Sequence, residues 1–595
     1  MLVVVDADDV RATDAQEELA SEPRCASRRF EVARSSAVRA LSLVAVAAVV
    51  LVLALVRYPS VLGHWEAESS FLMMATAGPP LSFELYPQGN IGATGQYALI
   101  NLGYYSAEWL GWSLAALRLP VLAAGAASVT VFLVIAGRTF GFWAGVVTAV
   151  MLALNPMFLV FWHQLIVSMI STVFLLLVLE RTERIETTGS LRWSVPLLAL
   201  AFSFVLLHYA VGRFYACAIV GHWAVVVLTK AQYAWRTGGS VDRSSLLGLA
   251  SFVVLVVGFV VLLDRDNVWF LRYIGVLFFP SMGEFVKREN ELAVVFQNLP
   301  ILLTMVVPPL NLAPDRFGDF TTDLIVDYRS YLVPTIMVPL VLFGVGVVIT
   351  RATRSAGARL TLVLLGVTLI APLFSAQVGE YLSIAAYRTF YAIIPLYLCA
   401  AAGVGWLLAR RQPAMRIGVA AGLIGILAIQ AVTFSAEMQR HRAFVEDLAR
   451  RWRPGDDLAI FAGPNARRTT VEDEFLMNGT YRYYLSWIGV PSLAVAHKLI
   501  ATVPRPERAD DVVVVLIDGD VQAGDALGPI KLVFYLHELG VPAALYDHTL
   551  MTIRGAGLAR PEYVIALDDA SATAARDALQ ASAYTVNMLR FNPWN

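Results

Sequence analysis

The sequence is poor in charged residues and in cysteine. Only 15% of its 595 residues are charged and 58% are hydrophobic, whereas soluble domains carry about 25% charged residues. The net charge of −1 provides no overall field for binding nucleic acid. Cys25, Cys217 and Cys399 lie far apart, which argues against a disulfide framework or a zinc-ligand pattern. Much of the chain is therefore expected to face lipid.

The N-terminus does not have the pattern of a secretory signal peptide. Three aspartates lie among the first ten residues, and the first long apolar run begins only near Ala40, whereas a signal peptide has a basic start followed at once by an apolar core. Residues 1–38 mix acids with arginines, a composition typical of disorder. We interpret them as a disordered tail.

Apolar runs long enough to cross a bilayer recur along the chain. A helix needs about 20 apolar residues for one crossing, and shorter runs are tolerated where neighbouring helices cover their ends. The sequence predicts about eleven spans on this basis. The candidate spans are 40–57, 114–136, 141–155, 157–179, 193–209, 212–229, 245–263, 332–350, 360–375, 389–409 and 417–434.

Arginine and lysine indicate the orientation, because cytoplasmic loops are enriched in both. Basic clusters precede span one and follow spans two, four, six, eight and ten. With a cytoplasmic N-terminus every cluster falls on the cytoplasmic side. A miscounted span would reverse the later clusters, so the alternation supports the count. It predicts a multi-pass protein of the plasma membrane.

The same count places three segments on the extracytoplasmic side. They are a first outer loop at 58–113, a segment at 264–331, and everything beyond residue 434. The stretch Pro300–Leu312 is apolar but short, and we interpret it as re-entrant or interfacial. The predicted domains are the tail 1–38, a transmembrane domain 39–434, and a soluble α/β domain 435–595. In the last, strand-like runs such as Val512–Ile517 and Tyr563–Leu567 alternate with helix-like runs.

The first outer loop contains the acids that most directly suggest chemistry. Glu66 and Glu68 follow span one directly, and carboxylates beside a membrane are costly unless they are solvated or used. On a helix, residues two apart point in different directions, so only one of the pair could face a given site. The alternative is a pair of solvated loop acids. Further along the loop, Tyr97 to Trp112 is an amphipathic aromatic stretch of the kind that lies in the membrane interface.

At this point the sequence resembles a known family, the GT-C glycosyltransferases, and in particular its protein mannosyltransferase-like and aminoarabinose transferase-like members. Four features carry the resemblance, and together they cover about residues 40–410. They are the acids after span one, Leu117-Arg118-Leu119-Pro120 opening span two, the run from Phe140-Gly141 to Leu154-Asn155-Pro156, and Tyr387-Arg388-Thr389-Phe390-Tyr391 with Pro395 near span ten.

The resemblance implies a membrane glycosyltransferase that moves a sugar from a polyprenyl-phosphate donor to a glycan, lipid or protein acceptor on the extracytoplasmic face. In the family a first-loop acid, usually within Asp-Glu-Ala, acts as base or positions the acceptor. Here the motif reads Trp65-Glu66-Ala67, so Glu66 is the first candidate base and Glu68 the second. The family often has another acid after the third span. This chain has His163 there instead, and His163 is either a replacement base or an ordinary interfacial histidine.

A departing lipid phosphate needs a positioned cation. Arg388, at the outer end of span ten, is the best candidate because a guanidinium matches phosphate oxygens in a bidentate way. Its neighbour Tyr391 and the more distant Arg213 are further candidates for contacts with the donor. Either arginine could instead anchor its helix at the interface. The loop acids could also hold a divalent cation, although no dedicated ligand spacing is present.

Two other functions stay open from the sequence. A transporter of lipid or sugar would place ionisable groups at mid-membrane and repeat interrupted spans in two halves, whereas the polar residues of this chain gather at the outer ends of its spans. A catalytically degenerate scaffold would explain the loss of the usual aspartate from the first-loop motif.

Overall fold

The structure is a computed structural model of the chain. It describes residue 38, residues 41–53, 97–110, 114–163, 167–188, 291–307, 332–374, 389–410 and 412–451, short stretches between 218 and 254, and five strands between 511 and 590. In these parts of the chain, three helical segments are long and apolar enough to cross a membrane, namely Ala115–Phe140, Phe390–Leu408 and Ala414–Thr433. The prediction of a helical membrane protein with several spans agrees with this architecture.

The first described helix, α1, covers Leu41–Leu53 and lies within the predicted first span, 40–57. It belongs to a compact unit separate from the rest of the chain. Next, α2 covers Tyr97–Leu110 in the predicted first outer loop. Its side chains Tyr105 and Trp109 are exposed and pack together at 6.4 Å between ring centroids. The aromatic stretch that was expected in the interface is thus a helix with an exposed aromatic face.

A tight helical hairpin follows. Helix α3 covers Leu114–Phe140 and α4 covers Phe142–Ala153. The single residue between them, Gly141, has φ +109°, a value that glycine adopts without steric penalty. Beyond the turn, Gly145 lies directly against the backbone of Gly137, because small residues let helices in a membrane approach closely.

The chain then returns through two helices, α5 at Pro156–Trp162 and α6 at Val167–Thr188. Trp162 contacts Leu122 of α3, and further along Glu180 contacts Arg138. Residue numbers rise together in these contacts, so α5 and α6 run parallel to α3. The predicted span four ends at residue 179. Helix α6 continues beyond it to Thr188, and its last charged turns pack into ion pairs.

Four of the remaining helices match predicted spans. They are α8, Val338–Arg351, after a 3-10 turn at Thr335–Met337; α9, Ala356–Ile370; α10, Ile393–Leu408, after a 3-10 turn at Phe390–Ala392; and α11, Pro413–Arg451. Helix α7 covers Glu291–Val306 and continues through Pro300. The re-entrant or interfacial segment predicted at Pro300–Leu312 therefore begins inside a longer helix. The predicted boundary at 434/435 falls inside α11. After Gly425 the sequence has no glycine or proline until Pro454, so no helix-ending residue lies near that boundary.

Ion pairs join three helices at one end of this bundle. Glu180 accepts from Arg138 at 2.6 Å and from Arg184 at 2.8 Å, and Arg359 pairs with Glu186. These arginines belong to three basic clusters that the sequence assigns to one side of the membrane. Their contacts place them at a common end of the helices.

The C-terminal region contains a five-stranded sheet. Its strands are β1 Asp511–Ile517, β2 Ala543–Asp547, β3 Thr552–Arg554, β4 Arg560–Ala566 and β5 Asn587–Arg590. Their order is β3-β2-β1-β4-β5, and only β3 is antiparallel to its neighbour. The runs Val512–Ile517 and Tyr563–Leu567, expected to be strands, fall largely in β1 and β4. Parallel neighbours need crossover connections, and the intervening segments lie outside the described residues.

Candidate functional site

The site is built around an asparagine at the elbow between α4 and α5. The Asn155 side-chain oxygen accepts a hydrogen bond from the backbone N–H of Phe158 at 2.9 Å, which is the geometry of a helix N-cap. Pro156 follows as the first helical residue, where its missing N–H is of no consequence. The Asn-Pro pair therefore ends α4 and starts α5 in a new direction.

Asn155 also ties this elbow to distant parts of the chain. Its amide nitrogen donates to the carbonyl of Leu332 at 3.0 Å and to the hydroxyl of Tyr397 on α10 at 2.9 Å. All polar atoms of the side chain are thus used, in a residue that is fully buried. The elbow is held against α10 by hydrogen bonds rather than by apolar packing alone.

His163 is the first residue after α5 and is 6% exposed. Its Nδ1 lies 2.9 Å from the carbonyl oxygen of Leu159, one turn back. Because a carbonyl only accepts hydrogen bonds, Nδ1 carries the proton in this contact. In the neutral form of the ring, the lone pair is then on Nε2. A histidine held in this tautomer can accept a proton at Nε2.

An aromatic stack brings the segment of His163 against the segment of Tyr391. Phe161 lies on Phe390 with ring centroids 4.3 Å apart and planes within 6°, and Phe158 stacks on the same ring at 6.2 Å. Tyr391 is fully buried beside Phe390. Two segments that the sequence singles out separately, one after span three and one at span ten, thus meet directly.

Trp162 fastens α5 to α3. Its indole Nε1 donates to the carbonyl of Leu122 at 2.7 Å, and its ring fills the space where Gly125 has no side chain. From Leu122 to Arg138, α3 rises about 24 Å at about 1.5 Å per residue. The cluster around His163 therefore lies most of a bilayer thickness from the ion pairs at the other end of the helices.

Helix α2 is attached to the same end of α3 through a proline. Pro120 lies inside α3, so it cannot donate to the carbonyl of Ala116, four residues earlier. The hydroxyl of Ser106 on α2 donates to that carbonyl at 2.6 Å. A carbonyl freed by proline in a membrane helix needs such a replacement, and here it links α2 to α3.

Four of the predicted site residues, Glu66, Glu68, Arg213 and Arg388, lie outside the described residues. Their roles stay predictions. Among residues whose structure is described, no group of three histidine, cysteine, aspartate or glutamate side chains could hold a metal ion. The first-loop acids that could bind a cation are not among them.

Two residues of this region gained no role from the sequence. Asn155 was noted only as part of a motif, and its link to Tyr397 connects positions too far apart in the chain for any local pattern to predict. Arg118, on α3, is 6% exposed. A signal for Arg118 existed, since it is a single charge at the start of an otherwise uncharged apolar run.

Comparison with known proteins was made from both sequence and structure. No known family profile matches the sequence, and no characterised protein matches it. Among solved structures, the chain is similar to ArnT from Cupriavidus metallidurans bound to undecaprenyl phosphate, with 16% identity over 92% of this chain and 89% of that one and a TM-score of 0.42.

It is also similar to the oligosaccharyltransferase of Archaeoglobus fulgidus tethered to an acceptor peptide, with 12% identity over 83% of this chain and 63% of that one and a TM-score of 0.37. Both of these proteins are GT-C glycosyltransferases.

Proposed function

We propose that this protein is a membrane glycosyltransferase that moves a sugar from a polyprenyl-phosphate donor to an acceptor on the extracytoplasmic face. The proposal includes about eleven spans, a cytoplasmic N-terminus and an extracytoplasmic C-terminal domain. The observation that carries it is the stack of Phe161 on Phe390. It joins the two family-like segments at the end of the bundle away from the Arg138–Glu180 ion pair.

The charge distribution supports an enzyme over a transporter. The apolar core of α3, all of α4, and α10 contain no charged residue between their ends, whereas transporters place coupling groups near mid-membrane. Polar side chains with defined geometry, Asn155, His163 and Ser106, lie instead toward one end. Such an arrangement suits chemistry at the membrane surface.

The reaction would be one displacement at the anomeric carbon. The acceptor oxygen forms a bond to that carbon while the bond from carbon to the phosphate oxygen breaks, and the lipid phosphate leaves with the electron pair. The acceptor proton passes to a carboxylate, Glu66 first and Glu68 second, acting as general base. Arg388, with contacts from Tyr391 and Arg213, would stabilise the charge on the leaving phosphate.

His163 has a secondary place in this mechanism. Its Nδ1 is engaged with Leu159, so only Nε2 can take part in proton transfer. It would contact the acceptor or relay a proton to the first-loop carboxylate. The acceptor class, whether glycan, lipid or protein, follows from the assay below.

The test is to incubate the purified protein with a panel of polyprenyl-phosphate sugars and candidate acceptors, and to measure release of polyprenyl phosphate. We expect release with the wild type, and a loss of about 100-fold or more for Glu66→Gln, the range that a general base contributes. Glu108→Gln is the matched control, because Glu108 is an exposed acid further along the same loop region, on α2. It should keep full activity.

Release that is unchanged in Glu66→Gln would rule out Glu66 as the base, and loss in Glu68→Gln alone would assign that role to Glu68. If the folded protein releases polyprenyl phosphate from none of the donors, the result would favour a catalytically degenerate scaffold. Movement of intact lipid-linked sugar across a bilayer without release of phosphate would favour the transporter.

A further inference from the structure

Helix α11 is buried against the rest of the bundle at two positions of its membrane-spanning part. Between Ala414 and Thr433, the buried residues are Leu423 and Gln430. They are seven positions apart, so they lie on one face of the helix. Gln430 is 3% exposed, and a buried amide is costly in apolar surroundings unless it is hydrogen-bonded. The partners of this polar side chain therefore show what α11 does at the bundle.

Gln430 supplies a hydrogen-bond donor that the end of α4 lacks. At the elbow, the backbone N–H of Asn155 donates to the carbonyl of Leu152, three residues back, at 3.0 Å. In a regular α-helix it would donate to Met151, four residues back, so the Met151 carbonyl is left without its usual donor. The side-chain nitrogen of Gln430 donates to this carbonyl at 2.9 Å. Helix α11 thus caps the helix that precedes the elbow.

The same amide reaches the residue that holds the start of α5. Gln430 interacts with the hydroxyl of Tyr397 on α10, and this hydroxyl accepts a hydrogen bond from Asn155 at 2.9 Å. Asn155 in turn caps Phe158 in the first turn of α5. Gln430 therefore acts on both sides of the elbow, within a network of buried polar groups whose hydrogen bonds depend on one another.

The short helix α5 converts the orientation of the elbow into the position of His163. It has seven residues, Pro156–Trp162, and His163 follows it directly. A rigid helix of that length is about 10 Å long, so a tilt of about 6° at the elbow displaces His163 by about 1 Å. A displacement of about 1 Å at a reacting group can lower a rate about 100-fold. The contacts of Gln430 thus bear on His163 without touching it.

We propose that Gln430 is a positioning residue for the glycosyl transfer: it holds the elbow through Met151 and Tyr397, so that Nε2 of His163 faces the reacting groups. The inference rests on the proposed function and extends its site to α11. This helix continues to Arg451, about 30 Å beyond Gln430. The residue that holds the elbow therefore belongs to the helix that leads toward the C-terminal region.

The first test is a double-variant cycle on the rate of polyprenyl-phosphate release. Gln430→Met keeps the length of the side chain but removes its amide, and should slow release about 10-fold or more. In a His163→Gln background the same change should have no further effect, because residues that act as a unit give non-additive losses. Gln439→Met is the matched control, because Gln439 is exposed on the same helix. It should leave the rate unchanged.

The second test is amide hydrogen exchange, which needs no turnover. Gln430→Met should speed exchange in α5 and in the last turn of α4, because these are the parts that the network holds. Exchange in α6 and α9 should stay as in the wild type. An increase spread evenly over the bundle would indicate a general loss of stability and would overturn the inference.

Equal fractional losses of activity from Gln430→Met in the wild-type and His163→Gln backgrounds would also overturn it, and so would unchanged exchange in α5. If Gln430→Met does not fold, Gln430→Asn decides, because it keeps the amide but shortens its reach by one methylene. It must show the same non-additivity with His163→Gln. A wild type that releases no polyprenyl phosphate would refute the proposed function, and hydrogen exchange would then decide separately whether Gln430 holds the elbow.

Discussion

Replacing Asn155 by alanine should destabilise the protein and release α5 from α10. The substitution removes the two hydrogen bonds from the amide to Leu332 and Tyr397 and the cap on Phe158. Hydrogen bonds between membrane helices contribute about 0.6–1.7 kcal/mol each, and an asparagine cap contributes about 1 kcal/mol. The expected loss of unfolding free energy is therefore about 2–4 kcal/mol.

Unfolding of the purified protein in mixed micelles with added sodium dodecyl sulfate would measure this loss. Thr148→Val is the matched control on α4, because the Thr148 hydroxyl donates to the carbonyls of Ala144 and Gly145, both in its own helix. It should change stability by less than about 0.5 kcal/mol. Tyr397→Phe removes one of the three bonds and should lose about 0.6–1.7 kcal/mol.

The double variant Asn155→Ala/Tyr397→Phe should lose less unfolding free energy than the sum of the two single variants, because Asn155 and Tyr397 share a hydrogen bond. The reasoning is refuted if Asn155→Ala is no less stable than Thr148→Val. Additive losses in the Asn155 and Tyr397 cycle would equally contradict it, since that result means the two side chains do not interact. Activity should fall with stability in Asn155→Ala, because His163 follows α5 directly.

Three further substitutions test other contacts. Glu183 lies beyond the predicted end of span four, and burial raises the pKa of its carboxyl group above the ordinary value of 4.5. The protonated carboxyl therefore stabilises the fold below pH 4.5, and this stabilisation is lost as the pH rises through the folded-state pKa. Glu183→Gln should raise the melting temperature at pH 8, and a thermal-melt series should show this gain shrinking toward pH 4.5. Gly344→Ala should destabilise by about 1–3 kcal/mol, because an added methyl group would overlap the facing backbone of α10, whereas Gly346→Ala on the same helix meets open space and should not, as denaturant unfolding would show. Ser106→Ala leaves the Ala116 carbonyl without its donor and should lower stability by about 1 kcal/mol, and proteolysis within α2 should become faster.

The outline of the membrane domain follows from local sequence properties. Apolar length predicts most of the described helices, and the basic clusters predict that Arg138, Arg184 and Arg359 lie on one side, where the structure joins them through Glu180 and Glu186. The run Val512–Ile517 likewise predicts a strand, and it falls within β1. Each of these signals depends only on neighbouring residues or on a count along the chain.

The contacts that shape the site depend on residues far apart. Nothing local shows that Asn155 meets Tyr397 or that Ser106 replaces the hydrogen bond lost at Pro120. Apolar length does not predict how far α6 continues past residue 179, because its last turns are stabilised by ion pairs across helices.

A distance measurement between spin labels would test the central claim most directly. The account requires positions 66 and 388 to face one pocket at the extracytoplasmic surface. It requires position 138 to lie at the cytoplasmic surface. With the native cysteines replaced and single cysteines introduced in pairs, electron spin resonance should give a short distance for 66–388 and a distance of about 30 Å or more for 66–138. A 66–388 distance as long as the 66–138 distance would contradict the account.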